Sequence, residues 1–267
     1  MTNIPIVCYL FTVFDEISSM SDFINHYNKF NSGMKHKLIV CFKLLEISKV
    51  KILRNKLNNI NYEEFIDPEI KNDFDFGSYK RIAEKYPNNQ ILFLNSHSYP
   101  VSDNWLLKLM NYSNDNTFIG TSASNESILN SLKLKKRYKL LSYIFRKIYY
   151  KRKFKNFPNP HIRTSSFLLN SKNFLEYISS KKITSKEDTW EIESGKESLF
   201  NYFKDKNFNI YVINSDGNKF VRKDWKLSET YNYFKQSKLI ISDKHTRKYE
   251  ILNDKEKFIS RLKVWGE

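Results

Sequence analysis

The polar clusters of this 267-residue chain are few and well separated. The apolar run Ile91-Leu92-Phe93-Leu94 ends in Asn95-Ser96-His97, and a helix is predicted over residues 102–112 with Ser102 as its cap. Polar groups at the tip of a buried strand lie where α/β sheets bind ligands, in the crevice beyond the carboxyl edge. Asn and Ser offer neutral oxygens to a cation, and His suits Mn²⁺ better than Mg²⁺. Asp75, Gly77 and Ser78 stand ahead of a predicted helix, whose first N–H groups can receive phosphate. Asp188, Glu191 and Glu193 precede Ser194-Gly195-Lys196. Carboxylates there can take a proton from a hydroxyl or stabilise positive charge on a sugar. His161 and Arg163 follow the double-proline turn at Pro158 and Pro160, and Arg is a natural fork for phosphate or sugar hydroxyls. His245 and Arg247 lie beyond a late strand. Trp105, Trp190 and Trp225 can stack on sugar rings, although core packing is the commoner fate of such side chains. Each cluster also has a plainer reading: a helix cap, a strand-to-helix turn, acids complementing a helix dipole, or surface polarity.

These residues need a scaffold, and the hydrophobic pattern supplies one. Residues 4–13 read as a strand with few polar interruptions, as buried parallel strands do. Further strands are predicted at 36–42, Glu63–Ile66, Gln90–Leu94, 118–120, 165–169, Asn209–Ile213 and 239–241. Helices are predicted at 21–30 with Ser21 as cap, and at 46–57, 78–86, 194–206 and 246–264. Strands alternating with helices argue for a mostly parallel sheet covered on both faces. Hydrophobic residues make up 40% of the chain and aromatic ones 16%, which excludes a disordered protein. Cys8 and Cys41 sit in apolar runs and read as buried free thiols suited to a reducing cytoplasm. The longest apolar run, residues 4–14, is too short to span a bilayer and lacks the features of a secretion signal.

Six stretches carry a resemblance: Phe74-Asp75-Phe76-Gly77-Ser78-Tyr79, Leu92-Phe93-Leu94-Asn95-Ser96, Phe118-Ile119-Gly120-Thr121-Ser122, Phe157-Pro158-Asn159-Pro160-His161-Ile162-Arg163-Thr164, Glu193-Ser194-Gly195-Lys196-Glu197-Ser198-Leu199 and Ser242-Asp243-Lys244-His245-Thr246-Arg247. In this order they resemble bacterial GT-A type glycosyltransferases of polysaccharide assembly (O-antigen or capsule). The resemblance implies one α/β, GT-A-like domain over residues 1–267, with a mostly parallel central sheet flanked by helices. Residues 1–125 would hold a nucleotide-diphosphate sugar, 126–156 form a basic helical insertion, and 157–267 hold a saccharide acceptor. Asp75, Gly77, Ser78, Asn95, Ser96, His97, Arg163 and Arg247 are then the expected donor-binding residues. The family's acidic metal motif is replaced here by Asn95, Ser96 and His97. Mn²⁺ or Mg²⁺ would therefore rely on His97, His245 and the donor's own phosphates, or give way to Lys and Arg neutralising the leaving diphosphate. Glu193 is the implied acceptor-side base, with Asp188 and Glu191 in reserve.

The net charge of +16 is concentrated. Between Ser127 and Leu175 there is no Asp or Glu but there are 13 Lys or Arg, so this segment should attract phosphate groups. Leu134, Tyr138, Leu141, Phe145 and Ile148 fall at helical spacing, with Lys135, Lys136, Lys139, Arg146 and Lys147 on other faces. This is the composition of an interfacial helix. A stripe packed on the protein's own core is one alternative. A nucleic-acid patch is another, but no recognised motif accompanies it. The expectation is a cytoplasmic transferase, peripheral on the inner face of the membrane through residues 132–155, extending a lipid-linked saccharide for surface polysaccharide or lipopolysaccharide. The alternatives are a catalytically inactive saccharide-binding or assembly subunit and a basic nucleic-acid binder.

Overall fold

The computed structural model describes residues 4–133, 138 and 140–267. The first half of the chain alternates β1 (Ile6–Thr12), α1 (Ile17–Lys29), β2 (Lys37–Lys43), α2 (Ile47–Leu57), β3 (Glu63–Ile66), α3 (Phe74–Lys85), β4 (Gln90–Leu94), β5 (Tyr99–Pro100), α4 (Trp105–Met110), β6 (Thr117–Gly120) and β7 (Ala123–Ser124). Then come α5 (Leu140–Lys153), β8 (His161–Ile162), β9 (Ser166–Asn170), α6 (Ser171–Ile178), α7 (Lys186–Ser194), α8 (Leu199–Asp205), β10 (Asn209–Ile213), β11 (Lys219–Phe220), a 3₁₀ helix (Arg222–Ser228), β12 (Ile241–Ser242), α9 (Lys244–Glu250) and α10 (Asp254–Trp265).

Eight strands form one sheet in the order β11-β10-β6-β9-β4-β1-β2-β3. The pairings β3-β2-β1-β4 and β6-β10 are parallel. This is the mainly parallel α/β architecture predicted from the alternation. Both faces are covered, so β1 is buried from Ile6 to Phe11: Ile6, Cys8 and Leu10 enter one core layer, while Val7, Tyr9 and Phe11 enter the other. Cys8 and Cys41 are buried free thiols. Trp105 and Trp225 are fully buried, which removes them from sugar stacking.

Two reversals of direction build the ligand edge. β9 runs antiparallel between β4 and β6, setting Ser166 opposite Leu94. Asn95 N donates to Ser165 O at 3.1 Å, so residues 163–165 meet the tip of β4. β12 pairs with β5 and returns the chain to the same edge at Ser242.

Several predicted boundaries move. α1 begins at Ile17, and Ser21 lies inside it with its hydroxyl bonded back to Ile17 O. α4 begins at Trp105 with Asn104, not Ser102, at the cap position. The segment predicted as one helix over 194–206 is the end of α7 followed by α8, broken at Gly195. The terminal helix is two, with α10 restarted by a capping box from Asn253.

α3 starts at Phe74, four residues earlier than predicted, so Asp75, Gly77 and Ser78 belong to the helix. A buried charge network fixes its start. Lys43, only 1% exposed, pairs with Asp67 and Asp73, and Arg81 reaches both acids at 2.6 and 2.7 Å. A Cβ at residue 77 would fall 1.9–2.3 Å from the Asp73 carboxylate. Gly→Ala inside a helix ordinarily gains up to about 1 kcal/mol. Here the sign should reverse, because the added methyl displaces Asp73 from Lys43 and Arg81. Gly77→Ala is expected to cost about 1–3 kcal/mol of overpacking, read as a lowered chemical-unfolding midpoint.

Candidate active site

Beyond the carboxyl ends of β1 and β4 the structure opens into three cavities that share walls. The first, about 550 Å³, is lined by Thr12, Phe14, Asp15, Asn72, Phe74, Asp75, Asn95, Ser96, His97, Ser165, Lys186, Asp243, Lys244 and His245. A throat of about 210 Å³ adds Arg163, Thr164, Trp190 and Glu193 to Asp75, Asn95, Lys186 and His245. The third, about 350 Å³, lies beyond Glu193 and is walled by His161, Arg163, Trp190, Tyr231, Arg146 and Tyr150. His245 borders all three. Asn95 and Glu193, far apart in sequence, line the same throat.

The floor is polar but largely committed. Asn95 Oδ1 accepts from His97 N at 3.1 Å and Ser98 Oγ at 2.8 Å, a local turn in which Asx residues mimic backbone. Ser96 is buried and donates to Asp15 Oδ1 at 2.6 Å. Asp15 also accepts from Thr12 N and Oγ1, both at 2.7 Å. His97 Nε2 sits 3.7 Å from Asp15 Oδ1. Burial lowers the affinity of the His97 imidazole for a proton, Asp15 raises it, and Lys244 and Arg247 lower it.

Arg163 anchors the far wall. Its Nη1 donates to Asp243 Oδ2 at 2.6 Å and to Ser122 Oγ at 3.3 Å, and its guanidinium stacks 3.9 Å from the Tyr231 ring centre. Ser165 Oγ donates to the same Asp243 oxygen at 2.6 Å. Burial raises the Asp243 carboxyl, but the Arg163 charge together with hydrogen bonds from Ser165, Arg163 and Thr246 N outweighs it and holds the acid well below the usual carboxylate range. Arg247 donates to His97 O at 3.0 Å and ties down the strand-tip loop. Both arginines, expected on the donor, are thus engaged within the protein.

The three acids on α7 separate by face. Asp188 closes a capping box with Ser185. Glu191 pairs with Lys153. Glu193 lies about 200° round the helix from Glu191, and it alone of the three reaches the throat. Its Oε1 accepts from Thr164 N at 3.0 Å, and among the described residues it makes no ion pair. Asp188 and Glu191 are therefore corrected to structural roles.

Of the expected phosphate cradle on α3, Asp75 lines the cleft. Ser78 is fully buried and bonded to Asp67, and Gly77 makes room for Asp73. Asp75 makes no hydrogen bond or ion pair among the described residues. Burial raises its carboxyl above the ordinary range, and Asp15 and Glu193 add to the rise against Lys186 and Lys43. Phe74, bulky yet at φ 54°, holds the left-handed backbone that turns the chain into α3. Such strain costs about 1–3 kcal/mol and clusters at functional sites.

Sequence reasoning missed Asp15, Phe74, Lys186 and Lys244. The two lysines open α7 and α9, each just after a capping residue (Ser185, Asp243). Both are exposed on the cleft without an ion pair among the described residues. The S-x-x-D and D-x-x-T spacings of these caps were a readable signal.

Mn²⁺ or Mg²⁺ needs several hard oxygen ligands. Among the described residues no three His, Cys, Asp or Glu side chains gather as a ligand set. His97 and His245 both line the first cavity, but Asp15 is spent on Thr12 and Ser96, and Asp243 on Arg163. The side chains present do not fit a resident ion.

No protein-family model matches this chain. No curated protein matches it either. Among solved structures it is similar to the galactosyltransferase LgtC bound to donor and acceptor sugar analogues, at 10% identity and TM-score 0.46, over 79% of this chain and 73% of that one. It is similar to 4-diphosphocytidyl-2C-methyl-D-erythritol synthase of Anaerococcus prevotii at 12% identity and TM-score 0.44, over 84% and 96%. The glycosyltransferase GlyE of Streptococcus pneumoniae aligns at 12% identity and TM-score 0.43 over 78% of this chain, which spans only 45% of the GlyE chain.

The Arg163–Asp243 pair has a consequence for stability. A carboxyl whose folded pKa is depressed contributes stability that is full above its unfolded pKa of about 4 and drains away as pH falls below it. Asp243→Asn leaves a buried guanidinium unpaired and is expected to cost about 3–5 kcal/mol at neutral pH. The substitution should also flatten the loss of stability between about pH 4 and pH 2 relative to wild type. Denaturant titrations across that range check both.

Proposed function

We propose that the protein is a glycosyltransferase that moves a sugar from a nucleotide-diphosphate donor to a saccharide acceptor. One observation carries this reading: Asn95 at the strand tip and the carboxylate of Glu193 border one throat between a larger chamber, which Ser96 and His97 also line, and a smaller one. The donor occupies the larger chamber, with its diphosphate beside Lys186 and Lys244. The acceptor occupies the chamber beyond Glu193, where half-buried Trp190 offers a ring face. In an inverting reaction Glu193 takes the acceptor hydroxyl's proton. That oxygen bonds to the anomeric carbon, and the carbon–phosphate oxygen bond breaks, leaving its electron pair on the nucleoside diphosphate. The two lysines neutralise that leaving charge. In a retaining reaction Glu193 orients the acceptor. Asp75, unpaired between the donor chamber and the throat, serves to hold sugar hydroxyls. The acceptor we assign is a lipid-linked saccharide of surface polysaccharide assembly, met by the enzyme on the cytoplasmic side of the membrane.

A second reading, a transferase-like subunit that binds saccharide without turnover, is favoured by the commitment of Asn95 and Ser96 to local hydrogen bonds. A panel of nucleotide sugars should identify a donor by thermal shift and then by transfer. Glu193→Gln is expected to keep the thermal shift and to lose about 10²–10⁴-fold in turnover. Equal turnover in the variant would remove Glu193 from the chemistry, and a shift with no transfer to any acceptor would favour the second reading.

A further inference from the structure

α5 has two unlike faces. Tyr150 and the following Phe154 are buried against Leu129, and Lys153 pairs with Glu187 and Glu191. Nearly opposite, Leu140, Leu141, Ile144, Phe145, Ile148 and Tyr149 face solvent, Leu141 at 71% and Phe145 at 70% exposure. The expected stripe of Tyr138, Leu141, Phe145 and Ile148 is therefore not packed on the protein's own core; Leu134, Lys135, Lys136 and Lys139 lie outside the described residues. Lys147 flanks the apolar face and Lys151 and Arg152 lie within it, none in an ion pair among the described residues, while Arg146 stands on the chamber side. No acid lies between Ser127 and Leu175.

An apolar helix face of this size is rare on a soluble surface and calls for a cover. The cover must be apolar beneath and anionic at the rim. Nucleic acid supplies the charge but has no use for exposed Leu and Ile, since it stacks on aromatic rings. An anionic lipid surface meets both demands, with side chains entering the headgroup boundary and cations facing the phosphates. No helix among the described residues is long and apolar enough to cross a membrane, so the contact would be peripheral.

We infer that α5 seats the protein on an anionic bilayer and brings the acceptor chamber to the lipid surface. Arg146 and Tyr150 of this helix wall the chamber that also holds Glu193, and Arg146 donates to Tyr150 OH at 3.1 Å. The helix that meets the lipid thus forms one side of the acceptor's path. The acceptor class that fits is a saccharide carried on a lipid phosphate, entering along α5 with its anionic link beside Arg146. This inference rests on the transferase reading for the acceptor but not for the lipid contact.

Co-sedimentation of the full chain with vesicles tests it without any turnover. Vesicles of phosphatidylcholine with phosphatidylglycerol should bind the protein, and phosphatidylcholine alone should not. Raising salt should weaken the binding. Lys147→Glu with Lys151→Glu is expected to lower the partition coefficient at least about tenfold, since each cation near the surface is worth about fivefold. Leu141→Glu with Phe145→Glu should abolish binding while keeping the melting temperature, because both side chains are exposed in the folded state. Equal partition onto neutral vesicles, an L141E/F145E variant that still binds, or retention by an RNA oligonucleotide but not by lipid would each overturn the lipid contact. Transfer to a short soluble saccharide should survive these substitutions, which separates failure of this inference from failure of the transferase reading.

Discussion

Arg163 and Asp243 meet at 2.6 Å with almost no exposure to water, and the far wall of the cleft hangs on that contact. Removing two charges from solvent costs several kcal/mol per ion, so a buried pair contributes little net stability. What it fixes here is geometry. The Asp243 oxygen that meets Arg163 also accepts from Ser165, just ahead of β9, while its other oxygen accepts from His245 N and Thr246 N and caps α9. One carboxylate therefore joins the antiparallel strand beside β4 to the helix that carries Lys244 and His245. Among the described residues, no other side-chain hydrogen bond or ion pair joins residues 163–165 to residues 242–247.

How much of this was legible in the chain depended on range. β4 falls where its apolar run places it, because a strand buried on both faces must be apolar along its length, and the bounds of β3 and β10 also match those predicted. Boundaries governed by caps were less so. Ser102 and Ser21 have the right chemistry for a cap, but Asn104 and Glu16 occupy those positions. Asp188, Glu191 and Glu193 are predicted to precede a helix over 194–206, whereas Ser185 and Asp188 form a capping box that starts α7 at Lys186. Once α7 is a helix, the separation of Glu193 from Asp188 and Glu191 follows from periodicity alone. Asp15 could not be found from local pattern. Its partners Thr12 and Ser96 come together only when β1 pairs with β4.

The charges in the cleft are arranged by depth. Asp15, Asp75 and Glu193 are buried or half-buried along the chamber and throat, while Lys186, which also borders the throat, and Lys244 are exposed. A ligand carrying two phosphates and a sugar matches that order when its anionic end lies toward the lysines and its hydroxyls lie inward. The reverse placement would set phosphate oxygens against Asp75, whose neighbours Asp15 and Glu193 already disfavour added negative charge. The same logic argues against phosphate at the start of α3, where Asp75 already complements the helix dipole.

Glycosyl and nucleotidyl transfer both expel a phosphate-bearing group, but they make different demands on a cleft, and the proposed function rests on the former. Attack at phosphorus builds charge on equatorial oxygens, which metal ions and closely held cations ordinarily neutralise. No three-residue ligand set gathers here among the described residues. Attack at an anomeric carbon builds positive charge on the sugar and negative charge on the departing diphosphate. Carboxylates beside the sugar and lysines beside the phosphates answer that pattern directly. A second chamber of about 350 Å³ beyond Glu193 then gives the attacking hydroxyl a place to come from. On the proposed reading, Glu193 stands at the mouth of that chamber, where an incoming hydroxyl would pass it.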